Sequence, residues 1–453
     1  MKAIAALLLL APLAQAQAQA PIATPAQQAA RELQNQATAR DHQQMLDQLG
    51  ITKLRPGPSG DPKSPDSANY DEAKANPYPD WPDPLRLNNG KRVTSAKIWQ
   101  QQRRPEIIEH FEREVLGRVP KALPAVNWTV EPATQSTVGA LPVRIQQLTA
   151  RVDNRAAPDI DVTFPVTLIK PQKQKRLMPT LIMFGFSPPH FPADLLAAGW
   201  AVALVNPTSI QADNGAGLTR GIIGLANKGQ PRHPEDWGAL RAWAWGASQV
   251  LTQLKRDPEI DARRIGIEGV SRYGKAALVA MAFDERFAMV LIGSSGEGGT
   301  KPHRRNFGEA VENLTGSGEY HWMAGNFLKY GAAESRDGAR TANDLPVDSS
   351  ELIALCAPRL TFISYGSPDA GDALWLDQQG SYMAAVAAGG VFRLLGARDL
   401  GVGNDYRNAQ KPAIGVAQTS GQLAWRQHEG GHTDGPNVPY FVEWAERNFA
   451  TRE

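Results

Sequence analysis

Short apolar runs alternate with helical segments along most of the chain, and this alternation is the feature that most limits how it can fold. Runs typical of buried strands occupy residues 160–169, 179–184, 200–205, 264–269, 288–292, 360–365 and 391–395. Helical patterns occupy residues 192–198, 234–255, 272–283 and 440–449. Strands that alternate with helices form a mostly parallel sheet covered on both faces. We therefore predict an α/β protein, a three-layer α/β/α sandwich.

The residues before this pattern divide the chain further. Residues 1–20 combine Lys2, an apolar run and overlapping Ala-x-Ala sites, which predicts a signal peptide and an exported protein. The run is too short to span a bilayer. Residues 21–100 are predicted to form an N-terminal extension packed on the body, with a helix over 26–49 and an extended, proline-rich segment over 55–92. Residues 101–453 would form the catalytic domain.

Within that domain, residues 97–115 have a helical pattern. Residues 300–350 look like an insertion over the carboxyl edge of the sheet. The long helix at 234–255 would carry Pro234, Glu235 and Asp236 in its first turn, where negative charge suits the helix dipole.

Charge and cysteine content exclude several classes of protein. The net charge is +2, which favours neither a nucleic-acid partner nor a membrane surface. Cys356 is the single cysteine, so the chain has no internal disulfide. Its stability must come from core burial, which a chain of this length supplies. We expect a monomer.

One strand-to-helix junction carries a candidate nucleophile. The strand at 264–269 leads through Gly269 and Val270 to Ser271, and a helix follows from Arg272. A sharp turn in this context lifts a serine hydroxyl above the sheet edge, where the amide N–H groups of the helix favour an oxyanion. The pattern departs from G-x-S-x-G because its second glycine is displaced to Gly274. We predict that Ser271 is the nucleophile of an α/β-hydrolase; the alternative is a helix-capping serine.

The base of such a hydrolase follows the nucleophile and the acid in the chain, which directs attention to His428 and His432. The stretch from His428 to His432 also matches the His-Glu-x-x-His pattern of zinc peptidases, which requires a helix. The adjacent Gly430 and Gly431 disfavour a helix. We therefore predict that His432 is the base, on a loop, and that no metal or cofactor takes part. A zinc peptidase remains the lower alternative.

Two loops offer a carboxylate that could orient the histidine. The loop after the strand at 360–365 carries Asp369 and Asp372, and the loop after the strand at 288–292 carries Glu297. Most loop carboxylates face water instead. The residues alone leave the choice open.

The motifs resemble those of the glucuronoyl esterases, carbohydrate esterase family fifteen. The stretch from Gly269 to Lys275 is similar to the G-C-S-R-x-G-K signature of that family, and 294–299 is similar to its E-S-G-x-G-G loop. Further family positions follow in order, at 305–309, Trp375 and 431–432. The similarity covers roughly residues 160–449.

This resemblance implies a serine esterase with an α/β-hydrolase fold. Its substrates would be esters of (4-O-methyl-)glucuronic acid on a plant polysaccharide, as in lignin–xylan linkages, cleaved through an acyl-enzyme. It implies Ser271 as nucleophile and His432 as base. It also implies an oxyanion contact from Arg272 and substrate contacts from Lys275, Glu309, Trp375 and Arg305. The position of Arg272 beside the nucleophile, and of Lys275 one helical turn beyond it, suits these roles.

Two departures from the family pattern matter. The fungal acid position is Ser294 here, which cannot act as the acid. Some bacterial members place the acid after the next strand, just before the tryptophan, and Asp372 fits that placement, with Glu297 as the alternative. Val270 replaces the cysteine of the fungal signature, which agrees with the lack of a disulfide. The main alternative function is an acetylxylan esterase or another carbohydrate esterase of the same fold.

Overall fold

The structure is a computed structural model, and it describes residues 24–185 and 192–450. The predicted signal peptide, residues 1–20, lies outside the described residues. None of the helices in the described ranges is long and apolar enough to cross a bilayer.

The strands in the described ranges are β1 (Ile51–Leu54), β2 (Val126–Val130), β3 (Thr134–Val138), β4 (Leu141–Val152), β5 (Thr163–Pro171), β6 (Met178–Phe184), β7 (Ala201–Val205), β8 (Ile260–Val270), β9 (Met289–Gly293), β10 (Ala332–Ser335), β11 (Leu360–Tyr365), β12 (Ala417–Gln418) and β13 (Leu423–Gln427). The α-helices are α1 (Pro25–Leu49), α2 (Ala96–Ile98), α3 (Arg104–His110), α4 (Pro192–Ala197), α5 (Gly221–Ala226), α6 (Ala239–Leu254), α7 (Arg272–Phe283), α8 (Val311–Thr315), α9 (Ser349–Ala354), α10 (Gln378–Leu394) and α11 (Val438–Ala450). Turns of π-helix flank α3, so the predicted helix over 97–115 is a continuous helical stretch.

The main sheet has the strand order β12-β13-β11-β9-β8-β6-β7-β5-β4-β2, with β3 paired to β4. The strands from β13 to β7 in this order are parallel, whereas β5, β4, β3 and β2 are antiparallel to their neighbours. The prediction of a mostly parallel sheet therefore holds only for the centre. The connections among β2, β3 and β4 are short turns, which join antiparallel strands, whereas a parallel pair needs a longer crossover.

Helices cover both faces of the sheet, as the sandwich prediction requires. One face packs against α6 and α7, in a core that includes Trp243 and Leu278. The other face packs against α4 and α11, where Trp200, Phe362 and Phe441 meet edge to face. The carboxyl ends of β8, β9, β11 and β13 meet at one edge of the sheet, and their loops carry the predicted catalytic residues.

Two predictions of local structure are wrong. Residues 391–395 do not form a strand, because 391–394 end the helix α10 and Leu395 is its C-cap. A short apolar run with no clear period fits a buried helix as well as a buried strand. The last parallel strand is instead β13, whose buried Arg426 and Gln427 hide it from an apolar pattern.

The helix predicted to begin at Pro234 begins at Ala239 instead. Asp236 does not lie in a first helical turn. Its carboxylate accepts a hydrogen bond from the His233 N–H at 2.7 Å, and Gly238 is the N-cap.

The N-terminal extension packs on the insertion. β1 pairs with β10, and Tyr320 of the insertion donates a hydrogen bond to Asp41 of α1 at 2.6 Å. The proline-rich segment after β1 follows an irregular path and docks through aromatic contacts, such as Trp81 stacked on Tyr406 at 4.3 Å between ring centroids. The extension therefore supports the insertion from outside.

The pairing of β1 with β10 can be tested with two neighbouring substitutions. Ile51 is 3% exposed, so Ile51→Ala should lower the free energy of unfolding by about 2–4 kcal/mol. Thr52→Ala, on the exposed side of the same strand, should change it by less than about 0.5 kcal/mol. Chemical denaturation measures both. Equal effects from the two variants would contradict the packing described here.

Candidate active site

Ser271 lies in a strained turn between β8 and α7. Its backbone has φ 61° and ψ −130°, a conformation that non-glycine residues rarely adopt. The Ser271 N–H donates to the Gly293 carbonyl at 2.9 Å, which ties the turn to the end of β9. The serine side chain accepts no capping hydrogen bond from the helix. The capping alternative therefore does not fit, and the hydroxyl is left for chemistry.

Two glycines make this turn possible. A Cβ at Gly269 would lie 2.4 Å from the Tyr273 carbonyl oxygen, so no side chain fits there. A Cβ at Gly274 would lie 2.5 Å from the Gly293 carbonyl oxygen. The displaced second glycine of the motif therefore has a physical reason, because it lets the first turn of α7 pack against the end of β9.

Asp372 is the carboxylate that the structure places on His432. The Asp372 Oδ1 atom lies 2.7 Å from His432 Nδ1, and the aspartate is fully buried. Its Oδ2 atom accepts hydrogen bonds from the Ser294 hydroxyl at 2.9 Å and the Gly366 N–H at 2.7 Å. These two hydrogen bonds fix the orientation of the carboxylate. Ser294, at the fungal acid position, therefore supports the acid that comes from the next loop.

Glu297, the alternative acid, is occupied elsewhere. Its oxygens pair with Lys301 at 2.7 Å and with His303, and all three side chains are buried. Burial opposes ionisation, but Lys301 and His303 outweigh it and lower the pKa of Glu297. Glu297 is the carboxylate of a separate buried ion pair, and the geometry favours Asp372 as the acid.

His428 makes backbone contacts through both ring nitrogens. Its Nε2 atom lies 2.6 Å from the Thr433 carbonyl oxygen, and its Nδ1 atom accepts from the Gly430 N–H at 3.0 Å. Residues 428–434 form a loop. The zinc-peptidase pattern therefore lacks its helix and has only one histidine with an available nitrogen, so these residues do not fit a zinc site.

Arg272 is held beside the nucleophile by groups that the sequence did not reveal. Its guanidinium pairs with Asp213 at 2.7 Å and lies 5.1 Å from the ring centroid of Trp322. Asp213 also accepts from the Trp322 indole at 2.6 Å and contacts His321 Nε2 at 2.9 Å. Burial opposes ionisation, but these hydrogen bonds lower the pKa of Asp213 to about 2. The ionised Asp213 carboxylate therefore orients the Arg272 guanidinium, which was predicted to contact the oxyanion.

Lys275, Glu309 and Trp375 come together on one side of the nucleophile. Lys275 donates to the Ser295 carbonyl at 2.8 Å, and its Nζ lies 3.5 Å from the Glu309 carboxylate. The Glu309 N–H donates to the Trp375 carbonyl at 2.9 Å. A lysine donor, a carboxylate acceptor and a half-buried indole form a set of groups suited to a sugar ring.

Glu319, which the sequence did not reveal, adds a second carboxyl group to this side. Burial and the negative charge of Glu309 raise the pKa of Glu319 to about 7, against the influence of Lys275 and Arg272. No motif marks Glu319, because its place depends on how the insertion folds back over the sheet edge.

Arg305 was predicted to contact the substrate, and its placement does not fit that role. Its side chain is fully buried and pairs with Asp377 at 2.7 Å and with Glu72 at 2.9 Å. Glu72 belongs to the N-terminal extension, and Asp377 follows Trp375 by two residues. Arg305 therefore joins the extension to the loop that carries Trp375.

A cavity of about 590 Å³ opens next to His432. Lys275, Glu309 and Trp375 are not among its described lining residues. Most of its wall is apolar, and the polar groups on it include His432 and Glu268; the apolar lining residues are Val138, Ile145, Pro165, Ile169, Met183, Phe184, Leu204, Val205 and Val270.

Comparison with known proteins shows the family to which the chain is similar. A family model for fungal glucuronyl esterases matches residues 155–396. The structure is similar to that of a glucuronoyl esterase of carbohydrate esterase family fifteen from Teredinibacter turnerae, with a TM-score of 0.84 and 41% identity over 91% of this chain and all of the other.

Two curated relatives are more distant. A carbohydrate esterase from an unknown prokaryotic organism is 29% identical, over 73% of this chain and 82% of its own. A 4-O-methyl-glucuronoyl methylesterase from Podospora anserina is also 29% identical, over 70% of this chain and 60% of its own.

Substitution of Asp372 and substitution of Glu297 should have opposite effects on kcat and on stability. Asp372→Asn should lower kcat by about 10³- to 10⁴-fold, because the amide no longer stabilises the protonated imidazole. Glu297→Gln should lower kcat by less than about tenfold in the folded enzyme, while it lowers stability by about 3–5 kcal/mol through the unbalanced charge of Lys301. Steady-state kinetics and thermal unfolding of both variants check this. A larger loss of kcat in Glu297→Gln would reverse the assignment of the acid.

Proposed function

Because the chain belongs to the glucuronoyl esterase family, carbohydrate esterase family fifteen, and is a carboxylic ester hydrolase that acts on glucuronate esters, we propose that Ser271, His432 and Asp372 carry out this hydrolysis. The observation that carries the proposal is the 2.7 Å contact between His432 and the buried Asp372, at the same sheet edge as a strained serine. This is the arrangement of nucleophile, base and orienting acid that acyl transfer needs.

The first half of the reaction forms an acyl-enzyme. The Ser271 hydroxyl attacks the carbonyl carbon of the glucuronate ester as His432 Nε2 accepts its proton. Asp372 holds the other ring nitrogen and stabilises the imidazolium. The tetrahedral intermediate collapses when the imidazolium returns the proton to the alcohol oxygen, so the C–O bond of the ester breaks and the alcohol leaves. The second half repeats these steps with water and releases the glucuronic acid.

The oxyanion of each intermediate meets two kinds of donor. The N-terminus of α7 points its first amide groups at the position above Ser271. The Arg272 guanidinium, oriented by Asp213, adds a cation on the same side. Since the charge is present only near the transition state, a cation fixed in advance lowers the barrier without reorganisation.

The sugar of the acyl group would lie against Lys275, Glu309 and Trp375. Lys275 and Glu309 offer a charged donor and a charged acceptor to neighbouring hydroxyls of one ring. Trp375 offers an apolar face to its C–H groups. The alcohol side of the ester would then face the apolar cavity beside His432, which is large enough for an aromatic alcohol such as those of lignin.

Removal of the nucleophile gives the direct test of the proposal. Ser271→Ala should lower kcat for methyl glucuronate on the order of 10⁵-fold or more. Ser294→Ala keeps the nucleophile and loses one hydrogen bond to Asp372, so it should lower kcat only about tenfold. Turnover of methyl glucuronate by purified enzyme, followed by release of acid, distinguishes the two. Full activity in Ser271→Ala would exclude the serine mechanism.

The cavity makes a separate prediction about the alcohol. Leu204→Trp should fill part of it and lower kcat/KM for an aryl-alkyl ester of glucuronate by about 10- to 100-fold, the value of one lost ring contact. The methyl ester does not reach the cavity, so its kcat/KM should stay within about twofold. Val130→Trp, which adds the same side chain at an exposed site on β2, is the control. Parallel losses for both esters would exclude the cavity as the alcohol site.

A further inference from the structure

Two carboxyl groups meet behind the loop that carries His432. Glu268 lies on β8, three residues before Ser271, and Asp434 lies two residues after His432. Glu268 is 2% exposed and Asp434 is 0% exposed. The two side chains contact each other through their carboxyl groups. The pair therefore joins the strand of the nucleophile to the loop of the base.

No cation balances this pair in the part of the chain that the structure describes. Burial and Asp434 are the influences on the pKa of Glu268. The pKa of Asp434 is influenced by burial, by Glu268 and by the backbone of Asp434 itself. In the described residues, neither Asp434 oxygen pairs with a cationic side chain or accepts a hydrogen bond from a serine, threonine or tyrosine hydroxyl. Two carboxylates at contact distance in an apolar site cannot both be ionised.

One shared proton resolves this conflict. A carboxylic acid that donates to a neighbouring carboxylate turns the repulsion into a strong hydrogen bond. Burial and the adjacent Asp434 raise the pKa of Glu268 well above its ordinary value, and burial also raises the pKa of Asp434, so the pair together holds one proton. The neighbouring strands give it no other polar partner, because Met183 of β6 and Leu291 of β9 lie opposite Glu268 in the sheet.

The other ties of the loop run to β11 and the residues after it, since the His428 N–H donates to the Tyr365 carbonyl at 2.8 Å. Ser367 N–H donates to the Gly430 carbonyl at 2.7 Å, and His432 itself contacts Asp372. The titratable and charged side chains on or against this loop are His428, His432, Asp372, Arg426 and Glu429. None of them pairs with Glu268 or Asp434 among the described residues.

We propose that the Glu268–Asp434 pair is a positioning element for the catalytic base, in which a shared proton holds the His432 loop against the strand that carries Ser271. The proposal rests on His432 acting as the base of the proposed mechanism. Neither residue of the pair touches the reacting atoms. The pair instead sets the distance between the His432 imidazole and the Ser271 hydroxyl, and proton transfer depends on that distance.

The pH dependence follows from the sign of the pKa change. A carboxyl whose pKa is raised by folding stabilises the protein below its unfolded pKa, and this stabilisation is lost as pH rises through the folded value. Loss of the shared proton leaves two negative charges in contact and pushes the loop from β8. We therefore expect kcat to fall on the alkaline side, by about tenfold per pH unit, as for loss of one essential proton.

Glu268→Gln tests this directly, because the glutamine amide donates a hydrogen bond to Asp434 that no rise in pH removes. Glu268 lines the cavity beside His432, which the methyl ester does not reach. We therefore expect kcat for methyl glucuronate to stay within about twofold of its optimum at a pH where the wild type has lost about tenfold, with KM for this ester unchanged. Asp434→Asn should shift the alkaline limb in the same direction. An alkaline limb that stays in place in both variants would overturn the proposal.

A matched control separates positioning from stability. Glu351 is also fully buried, and burial raises its pKa to about 7, but it pairs with Arg103 and lies on α9. Glu351→Gln should change the pH dependence of thermal unfolding and leave the alkaline limb of kcat unmoved. If Glu351→Gln moves that limb as Glu268→Gln does, the effect is global and the proposal is wrong.

Two further measurements keep the outcome unambiguous. If neither variant of the pair folds, infrared titration of the wild type should show a protonated carboxyl band disappearing in the same pH range in which kcat falls; its absence would overturn the proposal. His432→Ala separates this proposal from the mechanism. Full activity in that variant would refute the role of the base, whereas Glu268→Gln affects only the alkaline limb.

Discussion

The strained turn at Ser271 is the constraint on which the rest of the site depends. A serine with positive φ costs conformational energy, so the surrounding packing must impose it. Gly269 and Gly274 permit that packing because they let α7 press against β8 and β9, and the Ser271 N–H is bonded to Gly293. The hydroxyl is therefore raised above the sheet edge at a fixed position. Every other catalytic group is placed by a loop that leaves the same edge.

Those loops are held by ion pairs and hydrogen bonds between polar groups. Asp213 orients Arg272, Ser294 and Gly366 hold Asp372, and Arg305 joins Glu72 of the extension to Asp377 beside the tryptophan loop. The Arg305–Asp377 pair is fully buried, and removal of one partner from such a pair costs several kcal/mol. The insertion and the N-terminal extension therefore form part of the active site although they carry none of the triad.

Much of the fold could be predicted because its central strands are uniformly apolar and its helices are periodic. The exceptions have physical reasons. The run at 391–395 lies at the end of a helix that is buried on nearly all sides. Its apolar residues therefore do not alternate with polar residues at the helical period. β13 was missed because Arg426 and Gln427 are buried there through hydrogen bonds to Asn437 and Gly366. The local pattern of apolar residues predicts which apolar side chains are buried. Whether a polar side chain is buried depends on hydrogen-bond partners that are distant in the chain.

By itself the sequence predicted the nucleophile and the base and indicated the family, because these depend on short motifs whose residues act within one strand, turn and loop. It left the acid open between Asp372 and Glu297, and it assigned Arg305 to the substrate. Only the tertiary structure shows that Asp372 contacts His432, whereas Glu297 and Arg305 are held in buried ion pairs of their own. A carboxylate's role depends on which cation or imidazole lies within hydrogen-bonding distance. Glu297 meets Lys301 and His303 within its own loop, whereas Asp372 meets His432 only when the loops after β11 and β13 come together at the sheet edge.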